Sequence, residues 1–161
     1  MQMNKKMLAA VLSVLAMSAC ATPPTPMTIS DTAAATPQLS TLTKLLNDAG
    51  LTDTLKQAGP YTVFAPTDDA FKAVPAKTLD ALSKDKALLM SVLTYHVTPG
   101  KLASGDIKNG PVTTLQGAPA SLYRSGTFVT VESAVVTTAD VEASNGVVHI
   151  VDQVLIPPVK K

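Results

Sequence analysis

His96 and His149 are the only histidines of this chain, and so its only ordinary proton-transfer groups near neutral pH. A hydrolase would set one of them between a nucleophile and an orienting acid. Ser and Asp are plentiful, yet the sequence contains no Gly-x-Ser-x-Gly elbow, no His-Glu-x-x-His helix and no phosphate-binding glycine loop. Asp68 and Asp69 have the types for an acid–base pair or a cation site, but they follow Thr67, an N-cap candidate, and acids suit the first turn of a helix. That helix start explains them with fewer assumptions. His96 prolongs the apolar stripe of Leu88, Leu89, Val92 and Leu93, and His149 lies inside the run Val147 to Val151. Buried polar groups must be paired, so both histidines are expected to be structural, bonded to backbone or to a carboxylate such as Asp68 or Asp152. Contact with a partner is the alternative for each. These residues predict no catalytic site, no metal site and no cofactor.

The single Cys, Cys20, excludes an internal disulfide, a paired-thiol zinc site and a thioredoxin-like pair. It ends a segment that reads as an export signal: Lys5 and Lys6, then an apolar run from Met7 to Ala19, too short for the roughly 20 residues a membrane span needs. Met17-Ser18-Ala19-Cys20 resembles the lipobox of bacterial lipoproteins, in which the Cys receives the lipid and becomes the N-terminus. The resemblance implies that residues 1–20 are a lipoprotein signal and that Cys20 anchors the chain to a membrane. Ala21 after the Cys implies the outer membrane by the same likeness, with the domain facing the periplasm or the cell surface. Cleavage near Ala19 by an ordinary secretory route is the alternative. Residues 21–37, rich in Pro, Thr and Ala, are expected to form an extended tether holding the domain up to roughly 50 Å from the bilayer.

Residues 38–161 are long enough for one core. The apolar fraction of 46% against 16% charged is too high for a disordered chain, and 13 basic against 12 acidic residues leave no footprint for nucleic acid. Leu39, Leu42, Leu45, Leu46 and Ala49 recur at helical spacing up to Gly50, a second short helix follows around Leu55, and another spans about Asp85 to Tyr95. Tyr61 to Ala65 reads as a buried strand, with Phe71 pointing to the core from the helix after Thr67. After Gly100 the period changes to two. Val112–Leu115, Ala120–Tyr123, Thr127–Val131, Ala134–Thr137 and Gly146–Leu155 are candidate strands, with turns at Ser125-Gly126 and Asn145-Gly146. Helices followed by strands argue an α+β fold.

Gly59 to Phe71 (GPYTVFAPTDDAF) resembles the first signature of the fasciclin domain, Tyr95-His96-Val97 its central Tyr-His motif, and Asn145 to Pro157 (NGVVHIVDQVLIP) its second signature. The resemblance implies a single fasciclin domain, a wedge of β-strands flanked by several short helices. It also implies a non-enzymatic adhesion module that contacts a cell-surface or matrix protein or a glycan. Animal members use the Tyr-His segment and an Asp-Ile segment before the second signature, which makes Tyr95, His96, Asp140 and Val141 the candidate contact residues. Thr138, Ala139 and Glu142 depart from the animal motif around Asp140. Thr67, Asp68, Phe71, Asn145, Gly146, His149 and Asp152 are the structural positions of the signatures. Some fasciclin-domain proteins resemble carotenoid-binding modules, so a carrier of an apolar small molecule, a carotenoid or a lipid, is the alternative function.

Overall fold

The computed structural model describes residues 27–57 and 59–158, so the expected signal segment, Cys20 and the expected tether up to Pro26 lie outside the described residues. The described residues form six helices and seven strands. In chain order these are α1 (Ile29–Ala35), α2 (Ser40–Ala49), α3 (Thr52–Lys56), β1 (Tyr61–Pro66), α4 (Asp68–Ala73), α5 (Ala76–Lys84), α6 (Lys86–Tyr95), β2 (Val97–Pro99), β3 (Gly110–Thr113), β4 (Pro119–Ser125), β5 (Phe128–Val131), β6 (Ala134–Ala143) and β7 (Gly146–Val151). The expected α+β class is observed.

The strands run in the order β2-β1-β7-β6-β5-β4-β3, and every neighbouring pair is antiparallel except β1 with β7. That parallel pair is the centre of the molecule. β7 is buried along its whole length, as is β1 after Tyr61, which is why both read as continuous apolar runs without alternation. Side chains on opposite faces of these two strands feed two separate cores. Val63, Ala65, Val148 and Ile150 pack against Leu42, Leu46, Leu55, Leu89 and Leu93 of the helices. Phe64 and Val151 join Leu122, Val129, Val131 and Leu155 under the β3–β6 sheet. Register shifts between Val136 and Val141 divide β6 between the two halves of the sheet, bending it as bulges do.

Beyond shifted strand ends and the unexpected short β2, the fold departs from the sequence expectations in three places. Part of the stretch expected to be tether, Ile29–Ala35, is instead helical and packed into the domain. Thr28 caps it with a reciprocal Asp31 capping box, and Ile29 and Ala33, one turn apart, are 1% and 2% exposed against the helical core. Two apolar positions on one face sufficed, and the Pro/Thr/Ala composition hid them. The second departure is α5, which carries only Leu79 and Leu82 toward the core and offers little periodicity. The third is the β6–β7 turn. Ala143 pairs with Gly146, so Ser144 and Asn145 make the turn and Gly146 is the first residue of the strand, one position from the expected register.

Candidate functional site

The Tyr-His segment sits where α6 ends and β2 begins, and both side chains point inward. His96 is 2% exposed. Its Nδ1 lies 2.7 Å from the Val92 carbonyl oxygen, while the Leu155 N–H donates to Nε2 at 2.9 Å. A carbonyl only accepts and an amide N–H only donates, so the ring is neutral with its proton on Nδ1. Burial agrees, pushing the His96 pKa down to about 4 against the opposing effect of Val92. The ring therefore latches the segment after β7 onto α6. Tyr95, also 2% exposed, donates from its hydroxyl to the Pro119 carbonyl at 3.2 Å and reaches Glu132 Oε1 at 3.4 Å. Burial and then the Glu132 carboxylate raise its pKa.

His149 has the opposite tautomer. Its Nε2 donates to the Leu102 carbonyl at 2.6 Å, and its Nδ1 accepts the Asp140 N–H at 3.2 Å. The ring stacks on Phe64 with centroids 5.7 Å apart, and burial lowers its pKa. Neither histidine has a free ring nitrogen for a substrate or an ion. Both are held by backbone groups, and Asp68 and Asp152 are not their partners.

Asp68 accepts the Ser40 hydroxyl at 2.7 Å and the Thr41 N–H at 2.8 Å, capping α2 from across the fold, since Leu39 at the N-cap of α2 cannot. Burial alone would raise the Asp68 carboxyl; the Ser40 and Thr41 bonds outweigh it and hold it below its ordinary value. Thr67 caps α4 by accepting the Ala70 N–H, and Phe71 is buried in the helical core, both as expected. Asp152 accepts the Val135 N–H at 2.7 Å. Among the described residues no three His, Cys, Asp or Glu converge as a metal-binding group.

Asn145 does more than make a turn. Its Oδ1 accepts the Ile29 N–H at 2.9 Å, and its Nδ2 donates to the Leu55 carbonyl and, at 3.2 Å, to the Gln57 carbonyl. One amide side chain thus ties α1 and α3 to the β6–β7 turn. Asn145→Ala should cost about 2 kcal/mol, the penalty for stranding partly buried partners. Hydrogen exchange should show α1 losing protection first, and unchanged protection across residues 29–35 would disprove the tie.

The two residues of the acidic segment differ from the Tyr-His pair. Asp140 is exposed, has a positive φ of 58° and accepts both the Ser104 N–H, at 2.6 Å, and the Ser104 hydroxyl. Those two bonds hold its carboxyl below the ordinary range. Val141 is half-buried, pairs with Val148 and packs on the helical core. Of the four candidate contact residues, only Asp140 has an exposed side chain.

An exposed patch suits adhesion and an apolar cleft suits a carrier, and the structure has one of each, at residues not singled out from the sequence. Tyr123 and Phe128 are 55% and 70% exposed on the outer face of the β4–β5 hairpin, Phe128 in the closing pair with Ser125 and Tyr123 in the Tyr123–Thr130 pair diagonal to it. The signal was present: buried Val129 and Val131 put Phe128 out of phase. Between α5, α6 and the segment after β7 there is also a largely apolar groove of about 290 Å³, lined by Val74, Leu82, Leu88, Val92, Val154 and Ile156.

A wedge of seven strands with two cores, flanked by short helices and with its histidines turned inward, defines an α+β domain. The fasciclin domain profile matches residues 37–157, and the chain belongs to the fasciclin domain family. It is 45% identical over 136 residues to the Synechocystis protein sll1483, covering 82% of this chain and 74% of that one. It is 41% identical to the immunogenic protein MPB70 and 42% identical to the cell surface glycolipoprotein MPB83, both of Mycobacterium bovis, each match covering 76% of this chain. This chain spans 65% and 57% of those two relatives. A FAS1 domain pair from the insect cell adhesion molecule fasciclin I has the same fold, with a TM-score of 0.64 at 18% identity over 81% of this chain and 51% of that one.

Proposed function

We propose that this chain is an exported, lipid-anchored fasciclin-domain binding protein that mediates adhesion or cell-envelope and matrix contacts with a protein or glycan, without catalysis. A lipid on Cys20 holds it in the envelope, at the outer membrane, facing the periplasm or the cell surface. The observation that carries the reading is the exposed aromatic pair Tyr123 and Phe128 on a domain whose two histidines are both saturated by backbone groups. Exposed aromatics supply large contact area at low entropic cost and dominate many binding surfaces. Relatives named as a cell surface glycolipoprotein and a cell adhesion molecule support the same reading. Tyr123→Ser with Phe128→Ser should lower attachment or aggregation at least fivefold with stability changed by less than about 0.5 kcal/mol, as for surface substitutions generally. Unchanged attachment would remove the patch from the contact, and unchanged attachment after deletion of the whole domain would end the adhesion reading.

The apolar groove favours a second reading, a carrier of a small apolar ligand such as a carotenoid or a lipid. The intact mass of protein gently extracted from its host separates the two, because a retained pigment or lipid adds mass beyond the acyl groups on Cys20.

A further inference from the structure

The chain enters the fold at a fixed place. The Met27 carbonyl accepts the Ser144 N–H at 2.8 Å, and the Thr28 capping box starts α1 immediately afterwards. Only Ala21 to Pro26 separate Cys20 from Met27. At no more than about 3.6 Å per residue, that stretch keeps the β6–β7 turn within about 25 Å of a lipidated Cys20. β1 and β7 both start at this end, at the Tyr61–Gly146 pair, and run parallel to Pro66–Val151. Five steps of about 3.3 Å place the far end about 17 Å further from the entry point.

Beside the entry point lies an open cleft of about 540 Å³ whose lining includes Lys56, Pro60, Lys101 and Ser144 and no carboxylate. Lys56 ends α3. Lys101 follows β2, half-exposed, its Nζ 3.6 Å from Glu142 Oε1 in an exposed pair of the kind that water screens readily. Asp31, whose carboxyl also feels the Lys56 charge, already has its carboxylate bonded by Thr28.

Resting on the reading of Cys20 as the lipid anchor, we propose that this end of the domain faces the membrane. Lys56 and Lys101 receive the phosphate groups of phospholipids in the leaflet that holds the acyl chains. The short connection confines the domain near the bilayer, and the cation-lined cleft selects which end turns toward it. The opposite end, with Glu132, Ser133 and Gln153, faces outward.

The acylated full chain tests this, because a lipidated Cys20 leaves no free thiol and an introduced Cys is then unique. Ser144→Cys and Gln153→Cys each take one spin label, and the protein is placed in phosphatidylglycerol-containing vesicles with nickel chelated at the headgroups. Relaxation enhancement at 144 should exceed that at 153 at least threefold, and Lys56→Glu with Lys101→Glu should bring the ratio toward one. Equal enhancement at both positions in an acylated protein would overturn the orientation alone. A ratio unchanged by the lysine substitutions would overturn the phosphate contact. A mass spectrum without acyl groups would overturn the anchor reading and this inference with it.

Discussion

Gly146→Val is expected to leave no stably folded domain. A Cβ at this position would overlap the Tyr61 carbonyl oxygen, and would stand 2.8 Å from the Tyr61 carbonyl carbon and 2.9 Å from Ile29 Cδ1. The two nearest obstacles are backbone, so no rotamer change relieves them. The Tyr61 N–H also donates to the Asn145 carbonyl at 3.0 Å, which pins β1 against the β6–β7 turn. Room can be made only by pulling β1 from β7 at the first pair of the central parallel ladder. Overpacking that merely displaces side chains costs about 1–3 kcal/mol. Here we expect at least 3 kcal/mol, against a total stability on the order of 5–15 kcal/mol for an ordinary domain. Gly146→Ala carries the same Cβ and should be nearly as harmful. Urea unfolding and the soluble fraction measure both, and a Gly146→Ala protein within about 0.5 kcal/mol of wild type would disprove the close approach.

His96→Ala is expected to cost roughly 2–4 kcal/mol and to flatten the response of stability to acid. Removing the ring strands the Val92 carbonyl and the Leu155 N–H in a buried site, at about 1–3 kcal/mol for each unsatisfied group. The pH effect has a definite sign. The folded pKa is pushed down to about 4 from the ordinary 6.5, so below pH 6.5 the unfolded chain binds a proton that the folded chain refuses. The stabilisation is complete above pH 6.5, falls by about 1.4 kcal/mol per pH unit toward pH 4, and amounts to roughly 3 kcal/mol in all. Protonation also abolishes the acceptor that Leu155 uses. The carboxyls of Asp68 and Asp140, lowered from 3.8, add their losses only at lower pH, so the window above pH 4 belongs to the histidines. His149, also lowered by burial, leaves a residual slope of the same sign. Chemical denaturation from pH 4 to 7 reads both variants of this behaviour. An unchanged melting curve with lost adhesion would make His96 a contact residue instead.

The legible parts of the fold were those whose cause is local. Leu39 to Ala49 repeat at helical spacing and Gly50 closes α2 at a φ of 73°, and Thr67 caps α4 within four residues of itself. Helix α1 was within reach of the same logic, since Thr28 and Asp31 spell a capping box, but the surrounding prolines and alanines suggested a tether. The inward turn of His96 and His149 followed from the apolar runs that contain them. The contact candidates carried over from the motifs fared differently: Tyr95 and His96 are sealed in, and Asp140 has its carboxylate occupied by Ser104.

Local pattern thus indicated the α+β class and the burial of both histidines, and motif resemblance indicated the family. Each of these depends on residues close together in the chain, where period, capping and turn chemistry act without knowledge of the remainder. Which partner each polar group takes was a tertiary decision. Asp68 caps a helix 27 residues away, Asn145 reaches Ile29 across 116, and Leu155 finds His96 across 59. The same holds for Gly146, required less by its own turn than by the Tyr61 carbonyl that a parallel strand brings against it. Sequence requires that a buried polar group be satisfied, whereas only the packed chain brings a particular donor or acceptor within 3 Å of it.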